Sequence, residues 1–550
     1  MSETVKNASE KNKSLFFSGV LFLSGASVLV KIIGLLFKIP MSYFLGDEGM
    51  GYFNAAYQIY TWLYMLSTAG LPVAVSILIS EARGAGDSQR VGHVYSVAWR
   101  TFLLLGILGT AIMLFGAGPL SQIIASPNAR YAIMAISPTL FFICLCGALR
   151  GYFQGFLQMA PPAVSQVLEA LGKLLVGVLF ASLAIRRGAS LPLVAAAAIS
   201  GLAVGEAAGF LYLLLTRRRY ERGKQFFLLS PDAACDTPPK GSRTVLSRLL
   251  TIALPITASA SVMSLTGLLD LVIVQRRLQT IGFTVAEATA FYGNYTTLVV
   301  PMFNLPPALI YPLTTAIVPL LSSAVSAGNR EGIGRAVQSV LRVASIIALP
   351  CALGLSLFSF PILRLFFPLD MAESAAPLLS ILALAVFFLS LLTVTNAVLQ
   401  ANGMAKKPMV AMLIGGAVKL VCSYMLIGVP AVGTAGVPIG TLLCYFAALC
   451  VDLYYIIRHL SVYPSVTRIL LRPAVASFLS VGAARGLYAL LGGDATARPV
   501  VLLPIAVAGL LYAAALFLFR AVTEEDIALL PFGKKIMQFL HKNRTSIKES

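Results

Sequence analysis

Charged side chains interrupt otherwise apolar stretches of this chain of 550 residues, and nine of them are considered for function. Lysine or arginine in such a place can hold an anion such as a phosphate, and a carboxylate can bind a cation or neutralise a neighbouring base. A charge at the centre of a membrane helix costs about 2.5–3.5 kcal/mol, so these side chains should face a hydrated cavity or pair with one another. The nine are Lys31, Arg100, Glu169, Lys173, Glu206, Asp270, Lys419, Asp452 and Arg485.

Two of the lysines, Lys173 and Lys419, are predicted to lie deepest in the membrane. Each follows the start of its apolar segment by roughly eight to ten residues, which corresponds to a depth of about 12–15 Å at about 1.5 Å per residue. We therefore predict that both bind an anionic substrate. Glu169 precedes Lys173 by four residues and shares its helix face. It is either a coupling residue or the partner of Lys173 in an internal ion pair.

Lys31 and Asp270 form a second candidate pair. Lys31 is the principal cation of the first apolar segment, with Lys38 one or two turns further along, and Asp270 is the sole acid of the seventh. We predict an anion contact for the lysines and a proton or ion role for Asp270, with a structural Lys31–Asp270 ion pair as the alternative. Five other charges are expected at span ends, where they can reach interfacial water: Arg100, Glu206, Arg342, Asp452 and Arg485.

The composition identifies the elements that must position these residues. Hydrophobic residues make up 58% of the chain and charged residues 11%, with a mean hydropathy of +0.86, which excludes a soluble protein. A bilayer core needs about 20 apolar residues per helix. We predict an all-α polytopic membrane protein with fourteen spans, at residues 14–37, 52–80, 91–117, 129–149, 165–185, 191–216, 245–275, 290–322, 336–360, 372–400, 409–429, 432–456, 469–491 and 498–520.

The chain also repeats itself weakly. Residues of like type recur at an offset of 242 and further along at 246, as in Gln154 and Gln400, Lys173 and Lys419, or Glu206 and Asp452. Six spans in each copy make two parallel repeats, a plan common among transporters. The predicted division is an N-terminal lobe at 1–216, a cytoplasmic linker at 217–244, a C-terminal lobe at 245–456, two further spans at 457–522 and a cytoplasmic amphipathic tail at 523–550.

The distribution of basic residues predicts the orientation. Lys and Arg number 41 against 22 acidic residues, and the largest cluster begins at Arg217-Arg218-Arg219 in the linker. Because basic loops stay on the cytoplasmic side, both termini are predicted to be cytoplasmic. The same pattern makes nucleic acid an improbable partner, since the basic excess belongs to membrane loops.

Several chemistries lack their residues. No Walker phosphate-binding sequence, His-Glu-x-x-His or Gly-x-Ser-x-Gly motif occurs, and the chain has three histidines and seven cysteines without metal-ligand spacing. We therefore expect no enzyme activity, no cofactor and no metal. Gly70-Leu71-Pro72 and Asn304-Leu305-Pro306-Pro307 with Pro312 are expected to bend their helices.

Residues 149–155, Leu-Arg-Gly-Tyr-Phe-Gln-Gly, together with Pro162 and Ser165-Gln166-Val167-Leu168-Glu169, resemble a known signature. It is that of the stage V sporulation protein B and MurJ-like branch of the MOP flippase superfamily. Lys31-Ile32-Ile33-Gly34, residues 45–51 and residues 70–76 are similar to that branch as well, so the resemblance covers nearly the whole chain. Its motif residues here are Arg150, Gly151, Gln154, Gly155 and Pro162.

The resemblance implies a flippase of the bacterial cell membrane that moves undecaprenyl-pyrophosphate-linked saccharide, lipid II in the first place, by alternating access. Relatives carry cavity cations, often arginine, at or near the positions of Lys31, Lys38 and Lys173. Lysine keeps the charge but loses bidentate phosphate geometry. Membrane potential, H⁺ or Na⁺ is expected to drive transport, and two lobes in one chain make a monomer sufficient. An ion-coupled drug or small-solute antiporter of the same superfamily is the alternative; a membrane glycosyltransferase and a scaffold for sporulation or division fit the residues less well.

Overall fold

A computed structural model of the chain describes residues 2–225, 241–307, 310, 330–404, 406–491 and 498–519. Within these ranges all regular secondary structure is helical. Ten of the described helices are long and apolar enough to cross a membrane. The prediction of an all-α polytopic membrane protein is confirmed, and the count of fourteen spans stays a prediction.

The helices fall into two compact units, of which the first comprises residues 1–276 and 283–293 and the second residues 277–282 and 294–550. The first nine helices are α1 Ser2–Thr68, α2 Leu71–Gly84, α3 Ser88–Phe115, α4 Ala117–Ile123, α5 Arg130–Gly155, α6 Ala160–Arg186, α7 Leu191–Gln225, α8 Ser242–Thr280 and α9 Val285–Asn294. A π-helical turn, Tyr295–Val299, leads into α10 at 300–307. The others are α11 Arg330–Leu357, α12 Ser359–Phe366, α13 Leu369–Ala401, α14 Lys406–Ile427, α15 Gly436–Leu460, α16 Arg472–Leu490 and α17 Leu502–Leu518.

Helix α1 folds back on itself at Gly46. The backbone there has φ 61° and ψ −168°, a conformation open to glycine and strained for other residues. On a straight helix Phe37 and Phe53 would be about 24 Å apart, yet their ring centroids are 5.5 Å apart. The two arms therefore run side by side and correspond to the first two predicted spans.

A second interruption separates α1 from α2 at Ala69 and Gly70, with Pro72 in the first turn of α2. Proline is tolerated there because the first turn of a helix has no upstream carbonyl to bond. The expected bend at Gly70-Leu71-Pro72 is thus a complete break between two helices. The residues Asn304 to Pro307 are helical, so the bend expected there stays a prediction, and Pro312 lies outside the described residues.

In the first unit, α5 packs between α3 and α7, and α6 packs along α7. The contact between α6 and α7 is close because Gly172 of one helix faces Gly205 of the other, where a side-chain carbon would collide with backbone. Helix α5 is buried over most of its last three turns. This close packing fixes the positions of polar side chains on α5, α6 and α7.

In the second unit, α13 packs against α11 and α15, and α14 packs along α15. Helices α16 and α17 pack on each other, and α16 also contacts α11. A largely apolar core joins α11, α13 and α15, including Val340, Ala344, Val394 and Val398.

Some predictions concern residues beyond this description. The tail at 523–550, residues 226–240 of the linker and most of the span at 290–322 lie outside the described residues. Helix α8 up to Arg276 belongs to the first compact unit, whereas the prediction placed 245–275 in the C-terminal lobe. A lobe is defined by what moves together during transport, so the predicted lobe boundaries stay a prediction.

Candidate functional site

Three aromatic rings surround the ammonium group of Lys173 on α6. Its Nζ lies 4.9 Å from the ring centroid of Phe37, 5.5 Å from that of Phe53 and 4.7 Å from that of Tyr57. The rings come from both arms of α1, because the fold at Gly46 brings Phe37 beside Phe53. The negative faces of the rings stabilise the cation without a counter-ion. We refer to these three rings as the aromatic box.

Lys38 lies near the aromatic box, since its ammonium group interacts electrostatically with that of Lys173. Two cations held near each other repel and together attract an anion, in the way that a phosphate is bound. The fold therefore brings together two of the predicted substrate-binding lysines, Lys38 and Lys173. The sequence alone left open whether these two residues would approach each other.

A second cluster lies between α5, α6 and α7. The Arg150 Nη2 atom is 3.4 Å from Glu169 Oε2 and 4.0 Å from Glu206 Oε2. The Arg150 Nε group donates a hydrogen bond of 3.0 Å to Ser165 Oγ. We call Arg150, Glu169 and Glu206 the buried triad. It contains one positive group and two acidic groups.

The buried triad decides the pairing of Glu169. The sequence spacing allowed an internal ion pair with Lys173, but the ion pair that the structure contains joins Glu169 to Arg150. Lys173 forms no ion pair with any described residue. Its ammonium group is held by the three rings, and Glu169 acts on it through space without an ion pair, so the charge stays available to an anion.

Two further carboxylates are placed differently from what the sequence indicated. Glu206 and Asp452 are fully buried, with 0% exposure, so the expectation that they reach interfacial water is wrong. A span-end position along the chain does not show which face of the helix is covered. The sequence feature that set these two acids apart was their recurrence at the repeat offset of 246. By contrast Arg100 and Arg485 are exposed and Arg342 is largely buried.

The other predicted residues are more dispersed. Lys31 is exposed on α1, Asp270 is 6% exposed on α8 and Lys419 is partly buried on α14 in the second unit. A shared cavity for Lys173 and Lys419 stays a prediction. Among the described residues no group of three or more His, Cys, Asp and Glu side chains could hold a metal.

Most of the motif residues serve packing. A side-chain carbon at Gly151 would lie 2.7 Å from the Pro72 carbonyl oxygen, and one at Gly155 would lie 2.7 Å from Ile79 Cγ2. Pro162 is buried in the first turn of α6, and Gln154 is partly buried. The glycines let α5 approach α2 closely, and Arg150 is the motif residue that carries charge.

The second unit contains an apolar cavity of about 400 Å³ between α10, α11, α12, α16 and α17. Its walls include Met302, Pro350, Phe358 and Val481. The hydroxyl group of Tyr512, which also lines it, donates a hydrogen bond of 2.8 Å to the Ile346 carbonyl oxygen. The cavity therefore presents hydrocarbon and would suit an apolar chain.

Two family models match the sequence. The polysaccharide biosynthesis protein model matches residues 16–325, and the MatE model matches residues 296–425. The two matches overlap at residues 296–325. Together they cover the aromatic box and the buried triad of the first unit, and part of the second unit.

Individual relatives agree with these matches. Stage V sporulation protein B of Bacillus subtilis (strain 168) is 26% identical over 77% of this chain and 80% of its own length. The lipid II flippase MurJ of the same organism is 24% identical over 81% of this chain and 83% of its own length.

A solved structure of the lipid II flippase MurJ in an inward closed conformation aligns with a TM-score of 0.67 at 16% identity, covering 91% of this chain and 99% of that one. This likeness shows a shared fold. Because the first family model spans more than half of the sequence, the chain belongs to the polysaccharide biosynthesis protein family, and the predicted membership of the MOP superfamily is confirmed.

Proposed function

We propose that this multi-pass membrane protein is a flippase for undecaprenyl-pyrophosphate-linked saccharide, lipid II in the first place, in the bacterial cell membrane. The homology to MurJ and stage V sporulation protein B supports flipping of a lipid-linked saccharide in general. The finer substrate rests on the site. The protein is a transporter on this proposal and catalyses no covalent step.

The observation that carries the proposal is the arrangement of Lys38 and Lys173. A diphosphate headgroup in a low-dielectric layer needs cations that attract it without trapping it. Lys173 meets this need because its ammonium group is held by the aromatic box and forms no ion pair with a described carboxylate. Lys38 adds a second positive charge nearby. Lys31 and Lys419 are proposed to contact the same headgroup at other stages of transport.

The apolar cavity of the second unit supports the lipid part of the proposal. A polyprenyl tail is hydrocarbon, and each buried methylene group contributes about 0.8 kcal/mol. The cavity of about 400 Å³ could take a segment of such a tail. Membrane potential can drive the cycle without ATP, because one charge moved through 100 mV is worth about 2.3 kcal/mol.

Complementation tests the proposal. A bacterium depleted of its own lipid II flippase would express the parent chain, Lys173→Ala, Asp270→Ala or the control Lys407→Ala at matched levels. Lys407 is a suitable control because its ammonium group also lies over an aromatic ring, 4.4 Å from the Tyr455 centroid, in the second unit. Growth and the accessibility of lipid II at the outer surface are the readouts.

We expect rescue by the parent and by Lys407→Ala, and loss of rescue in Lys173→Ala and Asp270→Ala. Rescue by all four chains would keep the function and remove Lys173 and Asp270 from the site. Failure of a well-inserted parent would contradict lipid II as the substrate.

A second candidate function, an ion-coupled drug or small-solute antiporter, is favoured by the MatE match over residues 296–425. It predicts that expression raises the resistance of a drug-sensitive host to cationic dyes. Unchanged resistance together with rescue of the flippase-depleted strain would decide for the flippase.

A further inference from the structure

Glu206 on α7 is a carboxyl group without a hydrogen-bond donor. The side chain has 0% exposure, and neither of its carboxylate oxygens accepts a hydrogen bond from the described residues. An ionised carboxylate that is removed from water without donors is costly. It becomes stable by pairing with a cation or by taking up a proton.

Pairing accounts for only part of this requirement. Among the described residues, the guanidinium group paired with Glu206 is that of Arg150, at 4.0 Å, and the same nitrogen lies closer, at 3.4 Å, to Glu169. Arg150 is therefore shared by two acids and lies closer to Glu169 than to Glu206. A single positive charge cannot neutralise two carboxylates.

The two acids also lie close to each other. The carboxyl groups of Glu206 and Glu169 approach the same nitrogen of Arg150, at 4.0 Å and 3.4 Å, and interact electrostatically. Two carboxylates cannot donate to one another, so this contact becomes attractive when one of them carries a proton. Closely spaced acids in other proteins share a proton for the same reason.

The phenol and thiol groups around the pair do not replace that proton. Helix α1 contributes the phenols of Tyr57, Tyr60 and Tyr64, and α5 contributes the thiols of Cys144 and Cys146. These groups are neutral. Further along α6, the Lys173 ammonium group interacts with Glu169.

We propose that Glu169 and Glu206 share one proton at neutral pH and that the buried triad is a proton-binding site of the first unit. Glu206 is sealed, whereas the Glu169 side chain is 25% exposed. Glu169 therefore exchanges the proton with water and passes it to Glu206. With the proton bound, the triad has no net charge; without it, the triad has a charge of −1.

This charge change links the proton to the anion site. Glu169 is close enough to Lys173 to interact with it, so loss of the proton places a negative charge beside a lysine that attracts the headgroup. Proton binding and anion binding therefore favour each other, and the effect is reciprocal. The use of this linkage in transport rests on the proposed flippase function, whereas the presence of the proton does not.

Infrared spectroscopy of the full chain in detergent tests the site without any substrate. A protonated carboxyl group has a C=O stretch separate from the carboxylate bands and shifts in heavy water. We expect such a band in the parent at neutral pH, and we expect it to shift when the protein contains isotope-labelled glutamate. A parent without a glutamate-dependent band overturns the proposal, and this arm needs no substitution.

Substitution then assigns the band. Glu206→Gln and Glu169→Gln, which keep side-chain shape, should each remove it. Glu331→Gln, at an exposed acid in the first turn of α11, should keep it. A band that persists in both buried variants overturns the proposal. Loss of the band in these variants together with failed complementation by the parent would keep the proton site and reject the flippase.

Discussion

The two units keep one buried acid at equivalent positions and surround it differently. Glu206 of the first unit and Asp452 of the second are separated by the repeat offset of 246, and both are fully buried. Glu206 lies beside Arg150 and Glu169. Asp452 Oδ2 instead accepts a hydrogen bond of 2.8 Å from Thr395 Oγ1 and forms no ion pair with a described residue.

The sequence explains this difference. At the same offset, Arg150 corresponds to Asn396 and Glu169 to Gly415. The second unit thus keeps the acid without its charged neighbours. The equivalent positions therefore share a buried acid, whereas among the described residues the charged cluster belongs to the first unit, so ion chemistry is expected to depend on that unit.

The largest effect is expected from Arg150→Ala. It leaves the buried Glu206 and the partly buried Glu169 without their cation, and removal of one partner of a buried ion pair costs about 3–5 kcal/mol. Its counterpart Asn396→Ala removes no charge and should cost about 1 kcal/mol. Unfolding of the purified full-length variants measures both. Equal destabilisation by the two would remove the proposed asymmetry.

A smaller effect is expected from Thr395→Val in the second unit. It deletes the hydrogen bond to Asp452 and should cost about 1–3 kcal/mol, because a buried acceptor is left without its donor. The comparison in the first unit is Ser165→Ala, a hydroxyl deletion at a different repeat position. It removes one hydrogen bond from Arg150 but keeps the ion pairs of Arg150. We expect Ser165→Ala to destabilise the protein less than Thr395→Val does. A larger cost for Ser165→Ala would show that the Ser165 hydroxyl contributes more to holding Arg150 than the two carboxylates do.

Next in size is the aromatic box. Tyr57→Leu removes one of three rings around Lys173 and should cost about 0.5–2 kcal/mol. Tyr455→Leu, which removes the ring beside the partly buried Lys407 in the second unit, should cost less, about 0.5–1 kcal/mol, since the described contact of Lys407 is with one ring where Lys173 has three. Pairing each change with Lys→Met in a double-mutant cycle measures the interaction itself. A coupling of zero at Tyr57 would contradict the role given to the rings.

The smallest effect comes from an acid outside the membrane-spanning segments. The Glu287 carboxylate accepts hydrogen bonds from Thr284 N at 2.8 Å and Thr284 Oγ1 at 2.9 Å, and these bonds lower its pKa. Because the pKa is lowered on folding, its contribution to the start of α9 is present at neutral pH and is lost as pH falls through that pKa. The protection of the amides near residue 287, measured relative to their intrinsic exchange rates at each pH, should therefore fall in acid.

The same measurement on Glu287→Gln provides the control. That variant should show little pH dependence at this helix start, and exchange in α7 and α15 should be unaffected. Acceleration around Glu206 or Asp452 in the variant would mean that the exposed acid acts on the buried ones.

The sequence predicted the helical class and the repeat from hydropathy and from residues recurring at one offset. It also placed Glu169 and Lys173 on one helix face. It could not show that Glu169 would pair with Arg150, because Arg150 is carried by α5 and periodicity along α6 contains no information about a neighbouring helix. The prediction that Glu206 reaches interfacial water was wrong for a related reason. Depth along a span says nothing of whether α5 and α6 cover that face.

The aromatic box was equally hidden. Phe37, Phe53 and Tyr57 read as ordinary apolar residues of two separate spans, and only the fold at Gly46 brings the first two rings together. The motif identified Arg150, yet Gly151 and Gly155 beside it serve packing against α2. Membership of the motif therefore did not show which residues form ion pairs and which allow two helices to approach closely.

Gly46 has a consequence for biogenesis. A straight helix of 67 residues would be about 100 Å long, more than three times the thickness of a bilayer core. Because the chain turns back at Gly46, the second arm re-enters from the side on which the first arm emerged. Without that turn, every later span would cross in the opposite sense, and each basic loop would lie on the face opposite to the one predicted for it. The turn at this glycine thus determines the direction in which all later helices cross the membrane.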